Sequence, residues 1–369
     1  MHLTLHKSKI VNSKSSITIT GSKSESNRLL LIQALYPEIE ITNLSNSDDT
    51  QVMQMALKSK ERIIDVHHAG TAMRFLTAFF ATQVGRETIL TGSERMKERP
   101  IKVLVDALNS LGADISYLEI EGCPPLKIIG KTLKKDKVTL KANVSSQYIS
   151  ALLLIAPKLE NGLQLTLEGE ITSVPYINMT LELLNQKGIK TSFKNNVIKV
   201  NHQSSIINHQ SLIESDWSSA SYFYSIVALT DVGTEIELSS YKKNSLQGDS
   251  VLVDIYKDFG VRTTFGSNSI TIKKVEDCQL NNSPDIAQTI AVTCFGLGIA
   301  CHLTGLHTLK IKETDRLLAL KTELEKLGAE VTISENSLTL EANNIFKSAK
   351  NPPPSEGIGV STYNDHRMA

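Results

Sequence analysis

The chain has little of what marks several large protein classes. Its formal net charge is zero, with 39 Lys and Arg against 39 Asp and Glu. General affinity for nucleic acid or an acidic membrane surface needs a basic excess, so that balance argues against both. Cysteine is scarce: Cys123, Cys278, Cys294 and Cys301, with no C-x-x-C pair. A zinc ribbon is unsupported, and four unpaired thiols fit a reducing cytoplasm. No export signal is visible, because Met1 to Thr20 alternates polar and apolar residues without an apolar centre. The most apolar stretch, Ile286 to Ala300, is short for a membrane span and is broken by Gln288, Thr289, Thr293, Gly296 and Gly298. It is predicted to be a buried core helix. What remains is a soluble globular chain of 369 residues, 41% apolar and 21% charged. At ~150 residues per domain, that length predicts two domains or three.

A repeat sets the architecture. Four segments share an apolar helical pattern, a glycine stop and a short strand. The glycines are Gly112, Gly188, Gly260 and Gly328. Each stands where a helix end needs a residue tolerant of positive φ. Alternating strands follow, as in Ile189–Phe193 and Val197–Val200, with Asn195-Asn196 as the turn between them. Each repeat therefore reads as helix, strand, helix, strand, strand. Helix starts near Ser26, Thr71, Gln147, Ser218, Asp285 and Asp365 give six repeats, three per domain. The first repeat runs directly into Ile63–Val66, as though its hairpin were shortened. The sixth stops at Ala369 just as its helix begins. The boundary between the halves is expected near Ser211 to Asp216.

The segments at the helix starts differ in character from the repeats. Gly21-Ser22-Lys23-Ser24-Glu25-Ser26-Asn27-Arg28 opens a helix with small residues and two cations, which suits a phosphate or carboxylate. An ordinary serine cap with solvated charges explains it equally well. The spacing is not that of a Walker A loop. Gly70 in Ala69–Phe75 would let a ligand approach the backbone. Arg95–Pro100 holds three cations, although a plain basic turn is the simpler reading. Ser145-Ser146-Gln147 and Ser173-Val174-Pro175-Tyr176 are hydroxyl-rich helix starts that capping alone could account for. Asp285 opens a helix with a carboxylate. Lys312 and Arg316 are expected as i,i+4 neighbours on one helical face, with Glu313 between them. Asn364–Arg367 ends the motif series. The segments 21–28, 70–74, 95–99, 310–316 and 364–367 together hold ten Lys or Arg and five Asp or Glu, an excess of five in a neutral chain. If the helix starts converge, they make a focused anion site between the halves, suited to a small, multiply anionic substrate.

The motifs at 21–28, 69–74 (Ala-Gly-Thr-Ala-Met-Arg), 95–100 (Arg-Met-Lys-Glu-Arg-Pro), 145–147, 312–316 (Lys-Glu-Thr-Asp-Arg) and 363–369 run in order along the chain. Together they resemble the 5-enolpyruvylshikimate-3-phosphate synthase family. The resemblance implies an α/β (α+β) enolpyruvyl transferase fold, an inside-out α/β barrel of two similar domains. It places residues 21–214 in one domain and 1–20 plus 215–369 in the other. It implies transfer of the enolpyruvyl group of phosphoenolpyruvate to the 5-hydroxyl of shikimate 3-phosphate, releasing phosphate, on the route to chorismate and aromatic amino acids. No cofactor, metal, nucleic acid or membrane is implied; the enzyme would be a cytoplasmic monomer.

Residue by residue, the resemblance assigns Lys23, Ser24, Arg28, Ser145, Ser146, Gln147, Ser173, Tyr176, Asp285, Thr308 and Lys312 to shikimate 3-phosphate. It assigns Lys23, Gly70, Arg95, Gln147, Arg316 and Arg367 to phosphoenolpyruvate. Asp285 would be the base, Glu313 the acid, and Lys23 would assist. Three departures stand out. His68 and Thr308 replace the family's usual Asn residues, and the family continues a few tens of residues past Asp-His-Arg with a further phosphoenolpyruvate-binding Lys. A chain ending at Ala369 is therefore expected to be less stable and to turn over poorly. Two alternatives follow: a truncated, substrate-binding but catalytically impaired chain, and the related UDP-N-acetylglucosamine enolpyruvyl transferase. The latter carries a cysteine in a mobile loop, whereas Cys123 falls between two short strands.

Overall fold

The structure, a computed structural model, describes residues 2–4, 14–141, 145–171, 174–230, 232–275, 287–304, 306, 309–310, 314–342 and 359–361. The chain forms two compact units. One comprises Thr20–Ser215 and Leu246–Gly248. The other comprises Met1–Ile19, Asp216–Ser245 and Asp249–Ala369. The helices of the 20–215 unit are α1 (Lys23–Leu35), α2 (Asp48–Lys58), α3 (Gly70–Ala81), α4 (Glu94–Lys97), α5 (Lys102–Leu111), α6 (Ser146–Ile155) and α7 (Val174–Gln186). Those of the other unit are α8 (Trp217–Ala228), α9 (Leu252–Ile255), α10 (Ala287–Leu297) and α11 (Arg316–Lys326).

Within the 20–215 unit, helices of two kinds alternate. Every residue of α3 is buried, as are Tyr148–Ile155 of α6 and Glu25–Ile32 of α1. A helix apolar all round must be enclosed by protein. Helix α5, in contrast, buries only Leu104, Val105, Ala107, Leu108 and Leu111, a single stripe. The first helix of each repeat is thus an inner helix, and sheets lie outside. This is the inside-out α/β arrangement expected from the sequence.

Three sheets share one order. Ile63–Asp65, Glu87–Thr91, Leu126–Ile129 and Asp114–Tyr117 are neighbours in that sequence. Only the first pair is parallel. The second sheet repeats this with Lys137–Lys141, Leu163–Glu168, Val197–Val200 and Thr191–Lys194. The third does so with Lys14–Ile17, Glu235–Ser239, Ser269–Lys274 and Val261–Phe265. Side chains alternate between buried and more exposed along Lys137–Lys141 and Leu163–Glu168, as one-sided sheets require.

This topology corrects the five-element repeat. A strand precedes the inner helix and pairs in parallel with the strand after it, so the complete repeat has six elements. Ile63–Asp65 accordingly belongs to the second repeat's sheet and is no shortened hairpin of the first. Such strands are three to five residues long, too short to register as a period-2 pattern of their own.

The four predicted glycine stops all adopt positive φ: 108° at Gly112, 86° at Gly188, 74° at Gly260 and 89° at Gly328. In each case the next residue's N–H reaches back to a helical carbonyl. Ala113 bonds Leu108 at 3.0 Å, Ile189 bonds Leu184 at 3.1 Å, Val261 bonds Tyr256 at 2.9 Å and Ala329 bonds Leu324 at 3.1 Å. One Schellman closure is used four times. Asn195 and Asn196, also at positive φ, form the two-residue turn between Lys194 and Val197.

Each unit has its own core. Leu31, Phe75, Phe80 and Leu152 lie in one, and Trp217, Tyr224, Tyr256, Phe259 and Cys294 in the other. Helix α10 is the apolar stretch predicted to be buried, and Ser221 and Ser225 of α8 bond its Thr289 and Thr293 at 3.1 and 2.7 Å. Among the described residues, no helix is long and apolar enough to cross a membrane.

Candidate active site

The helix starts of the 20–215 unit are tied together by polar side chains. Lys23 is the first residue of α1, behind a Ser22 whose side chain does not cap the helix. Asn27 of α1 donates to Asp49 of α2 at 3.1 Å, and Asp49 also accepts from the Ala72 N–H in the first turn of α3 at 3.3 Å. Gln147 of α6 donates to Thr71 of α3 at 3.2 Å. Ser145 caps α6 by accepting from the Gln147 N–H at 3.3 Å. Ser146 is buried, and Tyr176 on α7 is half-buried.

Arg28 is the centre of this assembly. Its side chain is buried, and its donors reach across three helices. Nε donates to Thr180 Oγ1 at 2.8 Å, Nη1 to the Ser24 carbonyl at 2.8 Å, and Nη2 to Ser150 Oγ at 3.0 Å. The Tyr176 carbonyl lies at 3.4 Å from Nη2. The guanidinium carbon also sits 5.5 Å from the Phe75 ring centre and 5.9 Å from that of Tyr176. All four accepting oxygens are neutral. Burial pulls the Arg28 pKa down to about 10, against the raising influence of Tyr176 and Glu25, so the group keeps its charge at neutral pH. A buried cation paired only with neutral groups is expensive unless an anion joins it.

The remaining cations of the motifs are placed differently. Arg95 on α4 forms a 2.8 Å ion pair with Glu98, and both side chains are mostly solvent-exposed. Lys97 pairs with Glu94 and Glu119 at 3.3 and 3.4 Å. Lys310 pairs with Glu335 at 2.9 Å. His68 is exposed, with its Nδ1 at 2.7 Å from that of His67 and its Nε2 at 3.8 Å from Asp48.

In the other unit, Arg316 is the buried first residue of α11, and Asp315 caps that helix through Leu317 and Leu318, each at 3.1 Å. The expected Lys312–Arg316 helical face falls partly outside the described residues, and of it the structure describes Arg316 at the start of the helix. Ser173, Asp285, Thr308, Lys312, Glu313 and Arg367 lie outside the described residues. No group of three or more His, Cys, Asp and Glu among the described residues is arranged to hold a metal ion.

Sequence reasoning missed Ser150, Thr180, Asn27 and Asp49 as partners. Ser150 and Thr180 had one visible signal: each is a lone hydroxyl inside a mostly apolar inner-facing run. Asp49, a first-turn acid of α2, carries no such signal.

Comparison with known proteins places this geometry. Residues 54–369 match the family model for EPSP synthase (3-phosphoshikimate 1-carboxyvinyltransferase). A 3-phosphoshikimate 1-carboxyvinyltransferase of Bacteroides fragilis is 45% identical over 369 residues, covering 96% of this chain and 87% of the relative. One of Haemophilus influenzae is 38% identical, covering 96% and 88%. A solved EPSP synthase from Acinetobacter baumannii superposes with a TM-score of 0.71 at 20% identity, over 93% of this chain and 84% of that one, a likeness of fold. With relatives at such identity over nearly its whole length, the chain belongs to the EPSP synthase family, the 3-phosphoshikimate 1-carboxyvinyltransferases.

Proposed function

We propose that the chain transfers the enolpyruvyl group of phosphoenolpyruvate to the 5-hydroxyl of shikimate 3-phosphate and releases phosphate. The observation that carries this reading is Arg28: a buried guanidinium with neutral partners only, at the convergence of α1, α6 and α7. In a member of this family, such a cation is supplied for an anionic substrate.

The chemistry distributes over the assigned residues. Lys23, Ser24, Arg28, Ser145, Ser146, Gln147, Ser173, Tyr176, Thr308 and Lys312 hold shikimate 3-phosphate. Lys23, Gly70, Arg95, Gln147, Arg316 and Arg367 hold phosphoenolpyruvate. Substitution at a vinyl carbon proceeds by addition and elimination. Glu313 delivers a proton to the methylene carbon while Asp285 takes the proton of the attacking hydroxyl. The C–O bond to phosphate then breaks as the Glu313 carboxylate takes a proton back from the methyl group so formed, restoring the double bond and releasing phosphate. One carboxyl group must be acidic and one basic, a split that neighbouring cations tune.

The test is phosphate release with both substrates present. Release that requires shikimate 3-phosphate, with enolpyruvyl transfer seen by mass spectrometry, is the expected result. No release, or release supported instead by UDP-N-acetylglucosamine, sinks the reading.

A further inference from the structure

Two of the four cysteines meet in the core of the unit that holds α8 to α11. Cys294 lies one helical turn after Ile290 in α10, so the two side chains share a face, and both are buried there. Cys301 is the first residue of the strand Cys301–Leu303. Alternation along that strand turns His302 to solvent and Cys301 and Leu303 toward the core. Only Gly298, Ile299 and Ala300 join the helix to the strand. The Ile299 N–H closes the helix end on the Cys294 carbonyl at 2.9 Å, and Gly298 takes the positive φ of 71° that this closure needs. The chain therefore folds back at once, and the two thiols hydrogen-bond each other.

The two thiols are not equivalent. The bond to Cys301, and then burial, push the enclosed Cys294 thiol up. Cys301 is only partly buried. The bond from Cys294, joined by the Leu340 N–H of the paired strand, outweighs burial and holds the Cys301 thiol below its ordinary range. A partly exposed thiol that ionises readily, backed by a second that stays protonated, suits oxidation of the first sulfur and its resolution by the second. Cys123, in the other unit, is also partly buried and serves as an internal comparison.

We propose that Cys294 and Cys301 form a thiol–disulfide site, oxidised by hydroperoxides, that fastens the end of α10 to the strand after it. The Cys301 thiolate attacks one peroxide oxygen. The O–O bond breaks, and the departing oxygen takes up a proton and leaves as water or an alcohol. Cys294 then attacks the Cys301 sulfenic acid. The S–S bond forms, and hydroxide leaves with the Cys294 proton as water. The two sulfurs together lose two electrons, and the peroxide gains them. This inference is independent of the transferase reading and stands or falls on the thiols alone.

The experiment treats the folded 369-residue chain with hydrogen peroxide, then counts thiols by alkylation after denaturation and maps the peptides. The four thiols should fall to two, with the mass lowered by two hydrogens, no dimer on a non-reducing gel and full recovery with dithiothreitol. Cleavage between 278 and 294 and between 294 and 301 should place the bond at Cys294–Cys301, with Cys123 still open to alkylation. Cys294→Ser should leave Cys301 as a sulfenic acid that dimedone captures. Cys301→Ser should slow the loss of the Cys294 thiol roughly tenfold or more, because burial shields it. The proposal is overturned by a bond to Cys278, by a bond between two chains, or by Cys301 reaching sulfinic acid while Cys294 stays open to alkylation. It is overturned equally if Cys123 oxidises before this pair, or if Cys294 is lost as fast in Cys301→Ser. Should either serine variant melt far below the unsubstituted chain, the peptide map of the unsubstituted chain decides.

Discussion

Arg28 and Arg95 belong to similar-looking motifs, yet the structure treats them in opposite ways. Arg28 is enclosed, and its donors are fixed on oxygens of α1, α6 and α7. Arg95 lies in the four-residue α4, paired with Glu98 in water. The first is preorganised, its desolvation already met during folding. The second can exchange one carboxylate for another at little cost, since exposed ion pairs contribute ~0–1 kcal/mol. A rigid cation and an adjustable one suit a site that must both locate a substrate and adapt to it.

The sharpest way to break this contrast is Arg28→Met, which keeps much of the volume and removes the charge. Activity should fall by roughly a thousandfold in kcat/KM, about 4 kcal/mol. Its melting temperature should hold or rise, because no carboxylate is left unpaired, Thr180 still donates to the Tyr176 carbonyl at 2.9 Å, and the Ser150 hydroxyl lies 3.0 Å from Thr180 Oγ1. A large drop in melting temperature with activity retained would make Arg28 a structural residue.

Next in size is Gln147→Ala, which cuts the side-chain bond from α6 to Thr71 of α3. A rise of about tenfold in substrate KM is expected, consistent with one lost hydrogen bond at a positioned site. Thr71→Val should produce part of the same rise, and normal kinetics in both variants would show that the α3–α6 link is dispensable.

Arg95→Gln sharpens the comparison from the other side. Thermal stability should change by less than ~0.5 kcal/mol, and Glu98→Gln should match it. The phosphoenolpyruvate KM should rise for Arg95→Gln only. Equal kinetic effects from the two substitutions would mean the ion pair itself matters.

The smallest effect concerns pH. Tyr36 closes α1 and donates to the Gln203 carbonyl at 2.6 Å. Burial, helped by Glu38, pushes its pKa up to about 12. The folded state therefore holds the phenol proton more tightly than the unfolded chain. That contribution is complete below about pH 10 and is lost as pH rises toward 12. Melting of the unsubstituted chain should decline more steeply over that interval than melting of Tyr36→Phe, and parallel curves would refute the assignment.

What the sequence made legible follows from range. The glycine stops at 112, 188, 260 and 328 were readable because a helix end is decided by a few adjacent residues. The helix starts at 23, 70 and 146 lie within three residues of their expected places for the same reason. The strand ahead of each inner helix was missed, because its identity comes from a partner beyond the helix, not from its own few residues. In the site, the small residues and cations of 21–28 pointed to an anion. Nothing local separated the enclosed Arg28 from the solvated Arg95, since enclosure depends on Ser150 and Thr180, 122 and 152 residues away from Arg28.

The pairing of Lys14–Ile17 with Glu235–Leu238 bears on the order in which the chain becomes structured as it leaves the ribosome. The 20–215 unit needs nothing beyond Gly248. The strand at 14–17 is made before the 20–215 unit, yet its parallel partner is made about 220 residues later. At translation rates of ~5–20 residues per second, that strand waits roughly ten to forty seconds with an open edge. That early strand is thus secured only after residues 20–215 have been made, and the 20–215 unit assembles while it waits.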